Sequence, residues 1–158
     1  MKKWIVLISA IAIALIAFFV AKPHLSEKNY QKGLVYIDSL MYQKAIGYFD
    51  KAIRFKKSSE KALLQRAQAY YQLSQNDKSL EDFNRILELN VANNDALFGR
   101  SLVYFKNKDF EKAIADLNQA ISIKKDLAEY HYFLGYSKSN IKKYDEALQS
   151  LNQAITLD

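Results

Sequence analysis

Two kinds of apolar pattern divide the chain. Residues 4–21, WIVLISAIAIALIAFFVA, run without a single charge. At about 1.5 Å rise per residue such a run makes a helix of roughly 27 Å, close to the ~30 Å hydrocarbon layer of a bilayer. From residue 26 onward the pattern changes. Apolar positions now fall three, four or seven residues apart, the spacing of one helix face. Polar residues separate these stretches into short amphipathic helices, which must bury their apolar faces against one another.

The second pattern repeats with a period of 34 residues. Units beginning at Ser26, Glu60, Asn94 and Ala128 place Gly33, Ala67, Ser101 and Gly135 at the eighth position, and Ala45, Ser79, Ala113 and Ala147 at the twentieth. Phe49, Phe83, Leu117 and Leu151 take the twenty-fourth, and Ala52, Ile86, Ala120 and Ala154 the twenty-seventh. Tyr36, Tyr70 and Tyr104 occupy the eleventh, where Lys138 breaks the series. Each unit therefore reads as two helices: the small residues let them approach closely, and the large side chain fills the space beyond. Asp77, Asp109 and Asp145, in the turns between helices, are expected to cap the second helix of their units.

These positions resemble the tetratricopeptide repeat, whose unit has small residues at eight, twenty and twenty-seven and aromatics at eleven and twenty-four. The resemblance covers Ser26 to Asp158. It implies an all-α, right-handed superhelical solenoid of about four helix pairs: residues 26–59, 60–93, 94–127 and 128–158. The sequence departs from the family pattern at the fourth position, where Asn29, Leu63, Leu97 and His131 replace the usual tryptophan, and at the thirty-second, where Lys57, Val91 and Lys125 replace proline. The family's groove-facing positions fall here on Tyr30, Leu34, Ile37, Leu64, Gln68, Tyr71, Phe98, Leu102, Phe105, Tyr132 and Tyr136. The resemblance thus implies an apolar, aromatic groove for a helix or extended segment of another protein. A carboxylate clamp of the kind some members carry is not expected, because the corresponding places hold Tyr30, Leu34, Leu64, Gln68, Asp95 and Gly99. The fourth unit stops at its thirty-first residue with no capping helix after it. Leu148, Leu151 and Ile155 then form an open C-terminal face, to be covered by a partner subunit or a second copy.

Composition narrows the function further. The chain has 158 residues, no cysteine, four glycines and one proline. This excludes disulfides, thiolate metal sites and cysteine nucleophiles, and it favours helix. The net charge of +6 suggests an anionic partner until Lys2, Lys3 and Lys22, which flank the apolar run, are set aside; the rest is nearly balanced. The pairs Lys56-Lys57, Lys124-Lys125 and Lys142-Lys143 are interspersed with acids, so nucleic acid is not an expected partner. The glycines are isolated, the two histidines lie far apart, and no acid–base pair stands out. No cofactor, metal or catalytic residue is expected. Residues 1–3 read as a basic leader, 4–21 as a transmembrane signal-anchor and 22–25 as a linker. Lys2 and Lys3 keep the N-terminus cytoplasmic, leaving the repeats outside, which in a bacterium means the periplasm. The expected function is that of a membrane-anchored adaptor in a membrane protein complex. The alternative is an exported soluble chaperone or substrate receptor, formed if the leader is cleaved.

Overall fold

The computed structural model describes the chain from residue 2 to residue 158, without the side chains of residues 2–10, Ala14, Ala17 and Phe18. Eight helices follow one another among these residues: α1 (Lys2–Asp38), α2 (Tyr42–Phe55), α3 (Glu60–Gln72), α4 (Asn76–Leu89), α5 (Asn94–Lys106), α6 (Phe110–Ile123), α7 (Ala128–Asn140) and α8 (Tyr144–Leu157). They form two compact units, Met1–Ala62 and Leu63–Asp158, divided inside α3.

In the first unit, α1 continues through Pro23, so residues 22–25, expected to be a linker, are helical. A proline removes one N–H from the helix. The good helix formers on either side carry α1 past that single missing bond. The C-terminal part of α1 packs on α2: Gly33 lies so close to the Phe49 ring that a Cβ there would collide with it. Buried Ser26 donates its hydroxyl to the Ala52 carbonyl at 2.9 Å, and Tyr36 stacks on Tyr48 with ring centres 5.2 Å apart. The spanning helix expected at 4–21 is not supported by the described residues. No helix among them is long and apolar enough to cross a membrane. Much of that expected span falls on side chains outside the description.

The second unit repeats the same small-against-large contacts. Ala67, Ser79, Phe83, Ile86, Ser101, Ala113, Leu117, Ala120, Ala147 and Ala154 are all buried, as the 34-residue register requires. Leu97, Leu117, Ala120, Tyr130 and Leu134 form one core cluster that joins α5, α6 and α7. Tyr130 donates its hydroxyl to the Asn94 side-chain oxygen, and the Asn94 amide donates to the Ala120 carbonyl at 2.8 Å. The break at Lys138 is compensated locally. Lys44, Lys78 and Lys112 sit over the rings of Tyr36, Tyr70 and Tyr104, whereas Lys138 meets Glu146, at the same register position as those lysines, at 3.3 Å.

All four first helices end in the same turn. Leu40, Ser74, Lys108 and Lys142 have positive φ, between 57° and 65°. Each donates its N–H three residues back, and the next residue donates five back, as Leu40 does to Ile37 and Met41 to Tyr36 at 2.8 Å. Glycine suits this left-handed position best, yet none of the four is glycine. Leu40→Gly is therefore expected to raise the unfolding free energy by about 0.5–1 kcal/mol, read from a denaturant midpoint. Unchanged or lower stability would mean that the turn carries no strain. The same turn explains why the expected aspartate caps fail. The residues preceding the second helices, Met41, Gln75, Asp109 and Lys143, already close the first helices, and no side-chain cap forms at any of them. Asp77 and Asp145 lie inside the first turn instead, where a negative charge favours the helix dipole. Asp109 meets Lys112 at 3.3 Å. A side-chain cap does form at Asn93, ahead of α5, which accepts from the Ala96 N–H at 3.0 Å.

Candidate functional site

The groove-facing residues separate according to unit. In Met1–Ala62, Tyr30 is half-buried, its ring tilted against Phe49 at 6.0 Å and overlaid by the Lys61 ammonium at 4.5 Å. Leu34 and Ile37 are also half-buried. These three belong to the packing of α1 on α2 as much as to any surface.

In Leu63–Asp158, Leu64, Tyr71, Phe98, Leu102 and Phe105 are half-buried and Gln68 is exposed. The Lys106 ammonium covers the Tyr71 ring at 4.7 Å and donates to the Ser74 hydroxyl at 2.9 Å. Phe105, Tyr132 and Tyr136 come together around Phe133, which the groove register does not include. Phe105 meets Phe133 at 5.3 Å and Tyr136 at 5.4 Å, both edge to face, and Phe110 at 5.7 Å. Edge-to-face rings at these separations attract one another and hold a fixed shape. Tyr132 and Tyr136 remain 48% and 47% exposed, a large apolar area for two neighbouring residues on one helix.

Two open depressions flank this cluster. One, of about 520 Å³, is lined by Phe105, Lys106, Lys108, Phe110, Tyr132, Phe133, Tyr136 and Asn140. The other, of about 460 Å³, is lined by Ala128, Glu129, Tyr132, Phe133, Ala154, Ile155 and Asp158. Tyr132 and Phe133 form the wall between them. The sequence reading missed Phe110, Phe133, Lys106, Lys108 and Asn140. Lys106 and Asn140 share the thirteenth position of their units. Phe133 breaks its own register, since the equivalent residues are Gln31, Gln65 and Gly99.

On α8, Leu148 and Ile155 are 60% and 74% exposed. Their equivalents one period earlier, Ile114 and Ile121, are packed against the core cluster that includes α7. Leu151 does not share that outer face: it turns inward onto Gly135, where a Cβ would lie 2.7 Å from its Cγ.

Charged groups inside the unit pair with one another. Arg66 grips Asp82 with two hydrogen bonds of 2.7 and 2.6 Å, and Arg100 grips Asp116 with two of 2.7 Å. The hydrogen bonds to Asp116 hold the Arg100 guanidinium above its usual range. Burial raises the Tyr130 hydroxyl, with Asp95 and Glu129 adding to the effect. His131 lies 3.0 Å from the Lys125 carbonyl. Among the described residues no group of histidine and carboxylate side chains is arranged to hold a metal ion.

Family models described as tetratricopeptide repeat match residues 64–128 and 128–158, together more than half of the chain. A crystal structure of MamA is similar over 87% of this chain and 80% of that one, at 23% identity and a TM-score of 0.81. MamA from Desulfovibrio magneticus RS-1, residues 41 to the end, covers 84% of this chain and 75% of its own, at 20% identity and a TM-score of 0.78. YrrB, a tetratricopeptide repeat protein with an unusual peptide-binding site, covers 84% of this chain and 69% of its own, at 22% identity and a TM-score of 0.76. Identities this low establish the shared fold and nothing finer. No curated protein matches the chain.

Proposed function

Because the chain belongs to the tetratricopeptide repeat family, we propose that it is a protein-binding scaffold whose docking surface is the aromatic cluster on α5 and α7. The observation that carries this reading is the pair of half-exposed rings, Tyr132 and Tyr136, fixed in place by Phe105 and Phe133. Aromatic side chains lose little conformational freedom on binding and concentrate binding energy. YrrB, which shares the fold, has a peptide-binding site. The test is a mild-detergent pull-down through a C-terminal tag. Tyr132→Ala with Tyr136→Ala is expected to lose the bound protein, whereas Ile123→Ala, at an exposed position outside the cluster, keeps it. Equal recovery by all variants would reject the surface.

The finer part of the proposal is that residues 4–21 hold the scaffold at a lipid bilayer, with the N-terminus cytoplasmic and the repeats on the far side. Ile13, Ile16, Phe19 and Val20 are each more than 60% exposed, an arrangement that water penalises and lipid does not. The continuity of α1 would then tie that segment directly to the first repeat. Tethering raises the local concentration of the repeats near membrane partners, so a modest contact suffices for docking, as an accessory or assembly subunit requires. The chain is expected to stay with the membrane pellet after alkaline carbonate washing. Release of a shortened chain would favour an exported soluble receptor instead.

A further inference from the structure

The two depressions beside the aromatic cluster carry opposite charge. Lys106 and Lys108 line the first, and no carboxylate does. Glu129 and Asp158 line the second, and no cation does. Asp109, next in the chain to Lys108, is engaged by Lys112 at 3.3 Å. Lys106 gives one proton to Ser74 and a second to the Tyr71 carbonyl at 3.4 Å, which leaves the third to donate. Asp95, at the N-terminal end of α5, puts acid on the same side as Glu129. Across α5 and α7 the surface therefore runs from acidic at the N-terminal ends of the helices, over aromatic rings, to basic at the C-terminal end of α5.

Resting on the docking surface proposed above, we infer that its occupant is an extended segment of another protein with a carboxylate and a cation on either side of one large apolar side chain. The carboxylate lies at Lys106 and Lys108, the apolar side chain on Tyr132, Phe133 and Tyr136, and the cation at Glu129 and Asp158. Two depressions separated by a ridge suit side chains projecting from an extended backbone, whereas a helix presents one continuous convex face. From Glu129 to Asn140 the helix rises roughly 16 Å. An extended chain covers that distance in about five residues. Because alternate side chains of an extended chain share a face, a matching segment carries its acid and its base at the first and fifth of those residues, four positions apart, with the apolar side chain midway.

Fluorescence anisotropy tests this with terminally blocked, labelled peptides having phenylalanine at the centre and, two positions to either side of it, Asp and Lys, two Asp, or two Lys. The Asp–Lys peptide is expected to bind about tenfold more tightly than either uniform peptide at low salt, an advantage that closes as screening rises. Lys106→Glu with Lys108→Glu is expected to weaken that peptide about tenfold and to favour the two-Lys peptide. Lys108→Glu alone, at an exposed turn, gives the same direction with no risk to the Lys106 contacts. If all three peptides bind equally and Tyr132→Ala with Tyr136→Ala abolishes binding, the charge inference fails while the docking surface stands. If no peptide binds, or binding ignores both tyrosines, the inference and the surface fail together.

Discussion

Phe83→Ala is expected to lower the unfolding free energy by about 4 kcal/mol, the usual cost of emptying a fully enclosed phenylalanine site. The ring is 1% exposed and lies directly over Gly99, where a Cβ would collide with it. A neighbour without a side chain cannot move in to refill the space, so the cavity stays open. The same geometry gives an internal control. Gly99→Ala alone should cost about 1–3 kcal/mol by overpacking, and much of that cost should vanish in the Phe83→Ala background. Guanidinium denaturation followed by far-ultraviolet circular dichroism measures both. Strictly additive effects would mean that the two sites do not pack as described.

The second large effect is expected at the buried ion pairs. Asp116→Ala should cost about 3 kcal/mol, because it strands a guanidinium that is largely out of water. The side chains of Asp116 and Arg100 are 7% and 21% exposed, and Asn84 holds only one edge of the guanidinium. The chain itself supplies the control. One period later the same two positions are Leu134 and Ser150, which are buried without an ion pair. Arg100→Leu with Asp116→Ser should therefore recover to within about 1 kcal/mol of the parent. A double variant as unstable as Asp116→Ala would show that the loss is not due to the unpaired charge.

These two sites also show how much the sequence discloses. The 34-residue register places the small and large residues correctly because each of those contacts lies within one helix pair or between adjacent pairs. Three features do not follow from the register. The turn that ends each first helix holds the residue before the second helix at ψ near 60°, outside the extended conformation of a capping residue, so Asp109 does not cap. Pro23 marks the expected end of the N-terminal apolar helix, yet α1 continues through it. Phe133 and Gly99 share one register position and have opposite roles, one filling the docking surface and the other making room for Phe83. At the site itself, Tyr132, Tyr136 and Phe105 were legible by position. Their assembly around Phe133 and Phe110 depends on ring packing across three helices, which no one-dimensional spacing encodes. Leu151 follows the register and not the open face: at the twenty-fourth position it packs on Gly135 at the eighth, as Phe49 packs on Gly33.

On the proposed reading a protein partner rests on the aromatic face of α5 and α7. Replacing Tyr132, Tyr136 or Ile123 one at a time with a photoreactive benzoylphenylalanine and irradiating intact cells tests it most directly. Positions 132 and 136 are expected to give one and the same polypeptide adduct, and position 123 none. Adducts from 123 alone, or equally from all three positions, would contradict it.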